Sequence, residues 1–369
     1  MGVIGVFADE GRPIADAKNA LQRLVKQEVL DEDRHLPDGD RVEVATGTIP
    51  MTTEGQVELG KYAQPLLAAN GWDKFVYITD LPLTAVDRPV VSQSTADDTA
   101  VLLSQPAYGM FGARRSLATE LKSVLTGEGP SAGTERQRES DEVDSEREIT
   151  TVRVLDHPGR ALRLIAGMIR SNQPGKLLGV LSGALAAIAA TGGFGVFYGS
   201  IWDLSESMQV WRLLLVSVLG VLVLSAWLII SNRLWIRGNT QDSRWRERVD
   251  NIATAGTIVM TVLIIFLVAA VGMTLLSLAV VPADFFREQI EQDVDWQSYL
   301  RIGWLSASLG TFAGAIGSNF DKSVEIRSAT YNVREYERRR KVGDKIDEAW
   351  EDDSLQELAM KDERLDDVQ

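Results

Sequence analysis

The chain contains no cysteine, and only two of its 369 residues are histidine. The first absence excludes disulfides, thiolate metal sites and thiol nucleophiles. The second leaves little for a transition metal or a general base. His35 lies in the acidic loop "DEDRHLPDGD" and His157 in "LDHPGR" ahead of a helix, and neither has a partner at metal-ligand spacing. Both read as solvated loop histidines, so no metal and no cofactor is expected. A phosphate loop is lacking too: "GVFADEGRP" places Gly5 and Gly11 at neither G-x-G-x-x-G nor G-K-[ST] spacing, and no G-x-S-x-G elbow occurs. A formal net charge of −14 gives no basic footprint for nucleic acid, which is not expected as a partner.

What is abundant is apolar sequence, and it is unevenly placed. A mean hydropathy near zero conceals a polar amino-terminal part and an apolar remainder. Four runs, 177–202, 213–231, 254–281 and 299–318, approach or exceed the roughly 20 residues that cross a bilayer core. The last, "YLRIGWLSASLGTFAGAIGS", is small and slightly polar in its middle, and a buried soluble helix is its alternative reading. The pattern predicts an all-α four-helix transmembrane domain over 177–318, with the lipid bilayer as partner. Near residue 1, "MGVIGVFADEG" has no basic segment and turns acidic, so a cleaved signal peptide is not expected.

The flanking charges predict an orientation. Arg163 and Arg170 precede the first run, Arg233 and Arg237 separate the second from the third, and Arg338, Arg339 and Arg340 follow the fourth, whereas the other two loops are acidic. Because basic residues stay on the cytoplasmic side, both termini are expected in the cytoplasm of a multi-pass cell (cytoplasmic) membrane protein. The same arginines are candidates for contact with anionic headgroups. Between Pro158 and Arg170, "PGRALRLIAGMIR" gathers Leu162, Ile165, Met168 and Ile169 on one helical face, which predicts an amphipathic membrane-surface helix within 151–176. A helical extension of the first span is the alternative.

The interiors of the runs carry no ionisable group, although pumps and transporters depend on such groups at membrane depth. A channel lined by backbone or hydroxyls stays open. Small residues do recur: Gly179, Gly183, Gly195 and Gly199 in the first run and Gly310 and Gly314 in the fourth. Four-residue spacing of this kind lets helix backbones approach closely, within one chain or in a homo-oligomer. The plainer reading is that glycine and alanine are common in membrane helices.

Residues 1–127 alternate between strand and helix periods in the order β-α-β-α-β-β-β-α, which predicts an α/β domain with a mixed sheet. Ligands of open α/β sheets meet the carboxyl ends of the strands, and here these ends carry Asp9 and Glu10, then Thr79 and Asp80, with Arg88 opening the next strand. They are the candidate ligand-binding residues; no catalytic residue is assigned. An acid after a strand also caps turns, and the prolines after Asp80 favour that reading.

The segments "ITDLPL", "RPVV" and "LLSQPAYG", over residues 78–109, resemble the soluble amino-terminal region of uncharacterised actinobacterial multi-span membrane proteins. The resemblance implies a cytoplasmic-membrane setting and no chemistry. A weaker likeness in topology is to archaemetzincin-like peptidases, where a similar T-D turn precedes a zinc-binding helix. The helix here, "ARRSLATELKSVL", has no histidine, so the likeness implies at most a degenerate, metal-free hydrolase-like domain.

Residues 128–150 are acidic and almost free of apolar side chains, as in a disordered tether that lets the soluble domain stand off an anionic membrane. Residues 319–369 read as a helical, partly disordered cytosolic tail. The sequence thus predicts four spans tethering a cytosolic α/β domain that senses a ligand or recruits a protein partner. A transport or channel component is the alternative.

Overall fold

Almost unbroken apolar sequence in Val3–Ala8 forms β1, the centre of a parallel set flanked by β2 (Arg41–Thr46) and β3 (Lys74–Thr79). The computed structural model describes residues 2–50, 57, 59–85, 88–129, 134–137, 151–235, 244–321 and 326. These divide into two compact units, Met1–Ser171 and Asn172–Asn332.

The first unit is an α/β sandwich on a mixed sheet. Beyond β3 lie parallel β6 (Ala100–Ser104), then antiparallel β5 (Arg88–Ser94), with β4 (Thr84–Ala85) paired to β5. Period two sorts the strands' side chains. Ile4, Val6, Val76, Ile78, Val101 and Leu103 face a core shared with α1 (Arg12–Lys26) and α3 (Ala113–Leu125). Phe7, Phe75 and Tyr77 fall on the other side, the rings of Phe7 and Tyr77 lying 5.5 Å apart. The chain runs β1–α1–β2–α2–β3, with α2 at Leu59–Asn70, so it leaves β1 toward one edge and returns to pair on the other side.

The sheet does not stop at residue 127. Strand β7 (Thr134–Gln137) lies inside the acidic stretch read as a tether, and β8 (Thr151–Val154) pairs it to β5, giving the order β2-β1-β3-β6-β5-β8-β7. Buried Val152 and Val154 supply β8 with its inward face. Helix α4 (Arg160–Ser171), expected on a membrane surface, packs its apolar stripe inside this unit: Leu164 and Met168 are buried. Gly167 abuts the Pro106 carbonyl in the 3-10 turn Gln105–Tyr108, where any Cβ would collide.

The second unit is helical. Two of its helices, α8 (Val210–Ser231) and the apolar part of α9 (Arg244–Val280), are long and apolar enough to cross a membrane. The first apolar run is not one helix. After a short α5 (Leu177–Val180) it breaks at Leu181, forms α6 (Ser182–Phe197), and bends by 85° into α7 (Gly199–Ser207), so that a third span exists if the bent pair counts as one. The physical cause is a local contact: Trp202 folds back to donate its indole N–H to the Val196 carbonyl at 2.9 Å, while its ring meets Phe285 and Phe286 edge-on. Helix α10 (Ala283–Ile290) carries those phenylalanines, and α11 (Trp296–Gly317) starts on Asp295, whose carboxylate accepts the Gln297 and Ser298 amides.

Candidate functional site

The order β2-β1-β3 creates a switch point between β1 and β3, where open α/β sheets leave a crevice at the carboxyl ends of their strands. Asp9 follows β1 there and is fully buried (0% exposed). Its Oδ1 accepts the Tyr77 hydroxyl at 2.6 Å and its Oδ2 accepts the Thr79 hydroxyl at 2.6 Å. Thr79 in turn accepts the Leu81 amide at 3.1 Å, Tyr77 accepts the Ile49 amide at 3.2 Å, and Ser104 donates to the Leu81 carbonyl at 2.7 Å. A buried carboxylate survives only with such donors. The network ties the ends of β1, β3 and β6 together.

The predicted site residues therefore divide. Asp9 and Thr79 meet directly, and Asp80, 5% exposed, is buried beside them on the chain. Glu10 turns to solvent. Arg88 is elsewhere, its Nη1 2.5 Å from Asp156. Tyr77 was missed by the sequence reading, although period two along β3 places it on the face of Thr79.

Gln105 was missed as well. It follows β6 in sequence where Thr79 and Ser104 are paired across the sheet, and it is 1% exposed. Its amide nitrogen and oxygen are both buried without a hydrogen-bond partner. Buried amides are almost always satisfied, so a donor and an acceptor that the protein leaves unmatched at a strand end set Gln105 apart from the other buried polar groups there. Tyr108, three residues on, also has a buried hydroxyl without a partner. Burial pushes its pKa well above the ordinary phenol value, and the charge of Glu120 adds to this against the pull of Arg163.

A second polar centre ties three helices. Asp16 on α1, 2% exposed, receives Arg114 Nε of α3 at 2.9 Å and Arg170 Nη2 of α4 at 2.7 Å, with Arg12 Nε at 3.6 Å. Arg12 also donates to the Arg170 carbonyl. Burial lowers the Arg12 pKa, Arg170 adds to that, and Asp16 opposes it. Arg170 is thus an internal clasp and not a headgroup ligand. Arg163 is exposed, as is Arg233 after α8, while Arg237, Arg338, Arg339 and Arg340 lie outside the described residues.

In the helical unit several of the glycines pack against neighbouring helices of the same chain. A Cβ on Gly183 would stand 2.6 Å from the Gly317 carbonyl, one on Gly310 2.7 Å from the Ile188 carbonyl, and one on Gly195 2.7 Å from Ser306 Oγ. Gly314 faces the Ile188 side chain, Gly199 faces Gln289, and Gly179 faces open space. Gly317 and Gly303, the latter against Thr274 of α9, were not foreseen. Among the described residues no three His, Asp or Glu side chains are grouped to hold a metal ion. His35 accompanies Asp31 at 3.3 Å, and His157 Nδ1 accepts the Gly159 amide at 3.2 Å. Compared with protein families, with curated proteins and with solved structures, the chain matches none.

Proposed function

We propose that the chain is a multi-pass protein of the cytoplasmic membrane whose α/β unit, held on the cytosolic side, binds a small polar ligand at the carboxyl ends of β1, β3 and β6. The observation that carries this reading is Gln105: a buried amide with neither end satisfied, beside a polar network at the topological switch point. The membrane setting is supported by the apolar helices α8 and α9 and by the distribution of basic residues between the apolar runs. Four spans is the count we favour, with the bent α6–α7 pair as the first and α11 as the fourth. The network contains no base poised against a nucleophile, so the reading is one of binding, with sensing or recruitment of a protein partner as its consequence.

The test is thermal unfolding of the intact chain in nanodiscs against fractionated small polar metabolites. At least one fraction should raise the unfolding temperature, and Gln105→Leu should abolish that rise while folding normally. A transport role is the second reading, favoured by the broken α6–α7 pair, since broken helices frame binding sites in transporters. Solute flux into proteoliposomes, lost when the bend is released by Trp202→Phe, which removes the indole donor to the Val196 carbonyl, would support it.

A further inference from the structure

The net charge of −14 hides a segregation that only the fold reveals. Helices α1, α3 and α4 hold ten basic residues and two acidic ones, a surplus of eight positive charges. The two acids are Asp16, clasped by arginines, and Glu120, and both are buried. What these helices show to solvent is therefore basic: Lys18, Arg23 and Lys26 on α1, Arg115 and Lys122 on α3, Arg163 on α4. Glu10 and Glu28 flank α1 and Glu128 follows α3, outside the helical stretches themselves. One cluster of exposed acids of this unit lies instead in the loop before β2, at Asp31, Glu32, Asp33 and Asp38.

Two large apolar side chains sit among these basic ones. Phe111 is 90% exposed, held out between Gly109 (φ 79°) and Gly112 (φ 73°), both in left-handed conformations that favour glycine. Leu162 on α4 is 75% exposed, and the next residue, Arg163, lies against Gly109, its Cγ 3.0 Å from where a Cβ would stand. An exposed aromatic ring, an exposed leucine and helices that show lysine and arginine but no acid to solvent between their ends make the composition of a surface that lies on anionic lipid, the apolar groups entering the headgroup layer and the cations meeting phosphate.

We infer that the α1–α3–α4 face of the α/β unit, with Phe111 and Leu162 as its apolar inserts, docks on the anionic leaflet of the bilayer. The inference rests on the membrane reading above and not on the ligand site. Continuity of the chain favours lipid over any other occupant. Helix α4 ends at Ser171 and α5 begins at Leu177, so the five residues between them span at most roughly 20 Å even when fully extended. The unit is thus confined near the bilayer by its own backbone, and it presents a face of the opposite charge to the lipid.

Because the chain has no cysteine, single labels are unambiguous. Phe111→Cys and, as control in the acidic loop, Glu32→Cys are labelled with an environment-sensitive fluorophore in the full chain. Each is reconstituted into nanodiscs of phosphatidylcholine alone or mixed with phosphatidylglycerol, with nitroxide lipids as quencher. Docking predicts quenching at 111 several-fold above that at 32 in anionic nanodiscs. It also predicts a fall to the control level in neutral nanodiscs, in about 1 M salt, where the screening length shrinks to about 3 Å, and in a Lys18→Glu, Arg115→Glu, Lys122→Glu variant. The neutral nanodiscs give this contrast without any charge substitution, so a folding defect cannot imitate it. Equal quenching at the two sites, quenching at 111 indifferent to lipid charge, or a label at 111 that is buried without lipid quenching because a protein covers it, would each overturn the inference. Ligand-induced stabilisation is measured separately and stands or falls on its own.

Discussion

Thr79 Oγ1 donates to Asp9 Oδ2 at 2.6 Å, joining the ends of two parallel strands that are far apart in sequence. That bond makes the "TD" of "YITDLP" structural through its threonine, with Asp80 as a buried neighbour. Thr79→Val keeps the shape and removes the donor, leaving part of a buried carboxylate unmatched. The expected loss is about 1–3 kcal/mol of stability, read as a lower denaturation midpoint of the full chain. Tyr77→Phe should cost a similar amount, and the double variant should lose less than the sum, because both donors serve one carboxylate.

Gln105→Leu is expected to behave in the opposite way. Replacing an amide that is buried and unmatched with an apolar group of similar size removes a desolvation penalty. The unliganded chain should therefore unfold at the same or a higher temperature. A clear drop would mean that the amide is satisfied by the protein itself.

Asp16 governs the seating of α4. Asp16→Ala leaves the partly buried Arg12 and Arg170 without their counter-charge, and the loss is expected to stay below the roughly 3–5 kcal/mol of a fully buried pair broken from one side. Hydrogen exchange across 160–171 should rise sharply. Gly167→Val should raise it as well, by a different route, because its side chain would collide with the Pro106 carbonyl.

Tyr108 gives the account a pH dependence. Burial holds its folded pKa well above the ordinary phenol value, so the native state keeps the phenolic proton more tightly than the unfolded chain does. Stability linked to this group is complete below the unfolded pKa and declines as the pH rises above it. Tyr108→Phe should shift the alkaline unfolding midpoint upward and leave stability at neutral pH unchanged or improved.

Much of the first unit was legible because its strands are short apolar runs bounded by turn residues: Val3–Ala8, Lys74–Thr79 and Arg88–Ser94 follow the alternation of strand and helix periods read from residues 1–127. Strand β7 was not, since its sequence "TERQ" carries no apolar alternation and is held only by β8. The Asp9–Thr79 contact was half legible. The two residues were grouped as strand ends, but Tyr77 required following side-chain parity along β3, and Gln105 required knowing that β6 pairs with β3. The Asp16 clasp could not be foreseen, because it joins three helices separated by long stretches of sequence. Hydropathy likewise has no direction: it found the apolar run beginning at Leu177 but not the 85° bend at Tyr198, which depends on Trp202 reaching back to Val196.

The close approach of α6 and α11 makes a further prediction. Gly183 and Gly317 leave no room for a side chain, and Asp321 adds a 2.6 Å acceptor for the Gly183 amide at the start of α6. Gly183→Leu should separate these helices and raise protease sensitivity between 182 and 197 in detergent. Gly179→Leu, facing open space, should not.

The central claim is that the strand ends of the α/β unit hold a small polar molecule. The most direct measurement is mass spectrometry of small molecules released on denaturing the intact chain after mild extraction from its own membrane, compared with the Gln105→Leu variant. The account predicts a polar compound present in proportion to the natural chain and absent from the variant. Release of nothing specific from the natural chain, or of the same compound in equal amount from both, would contradict it.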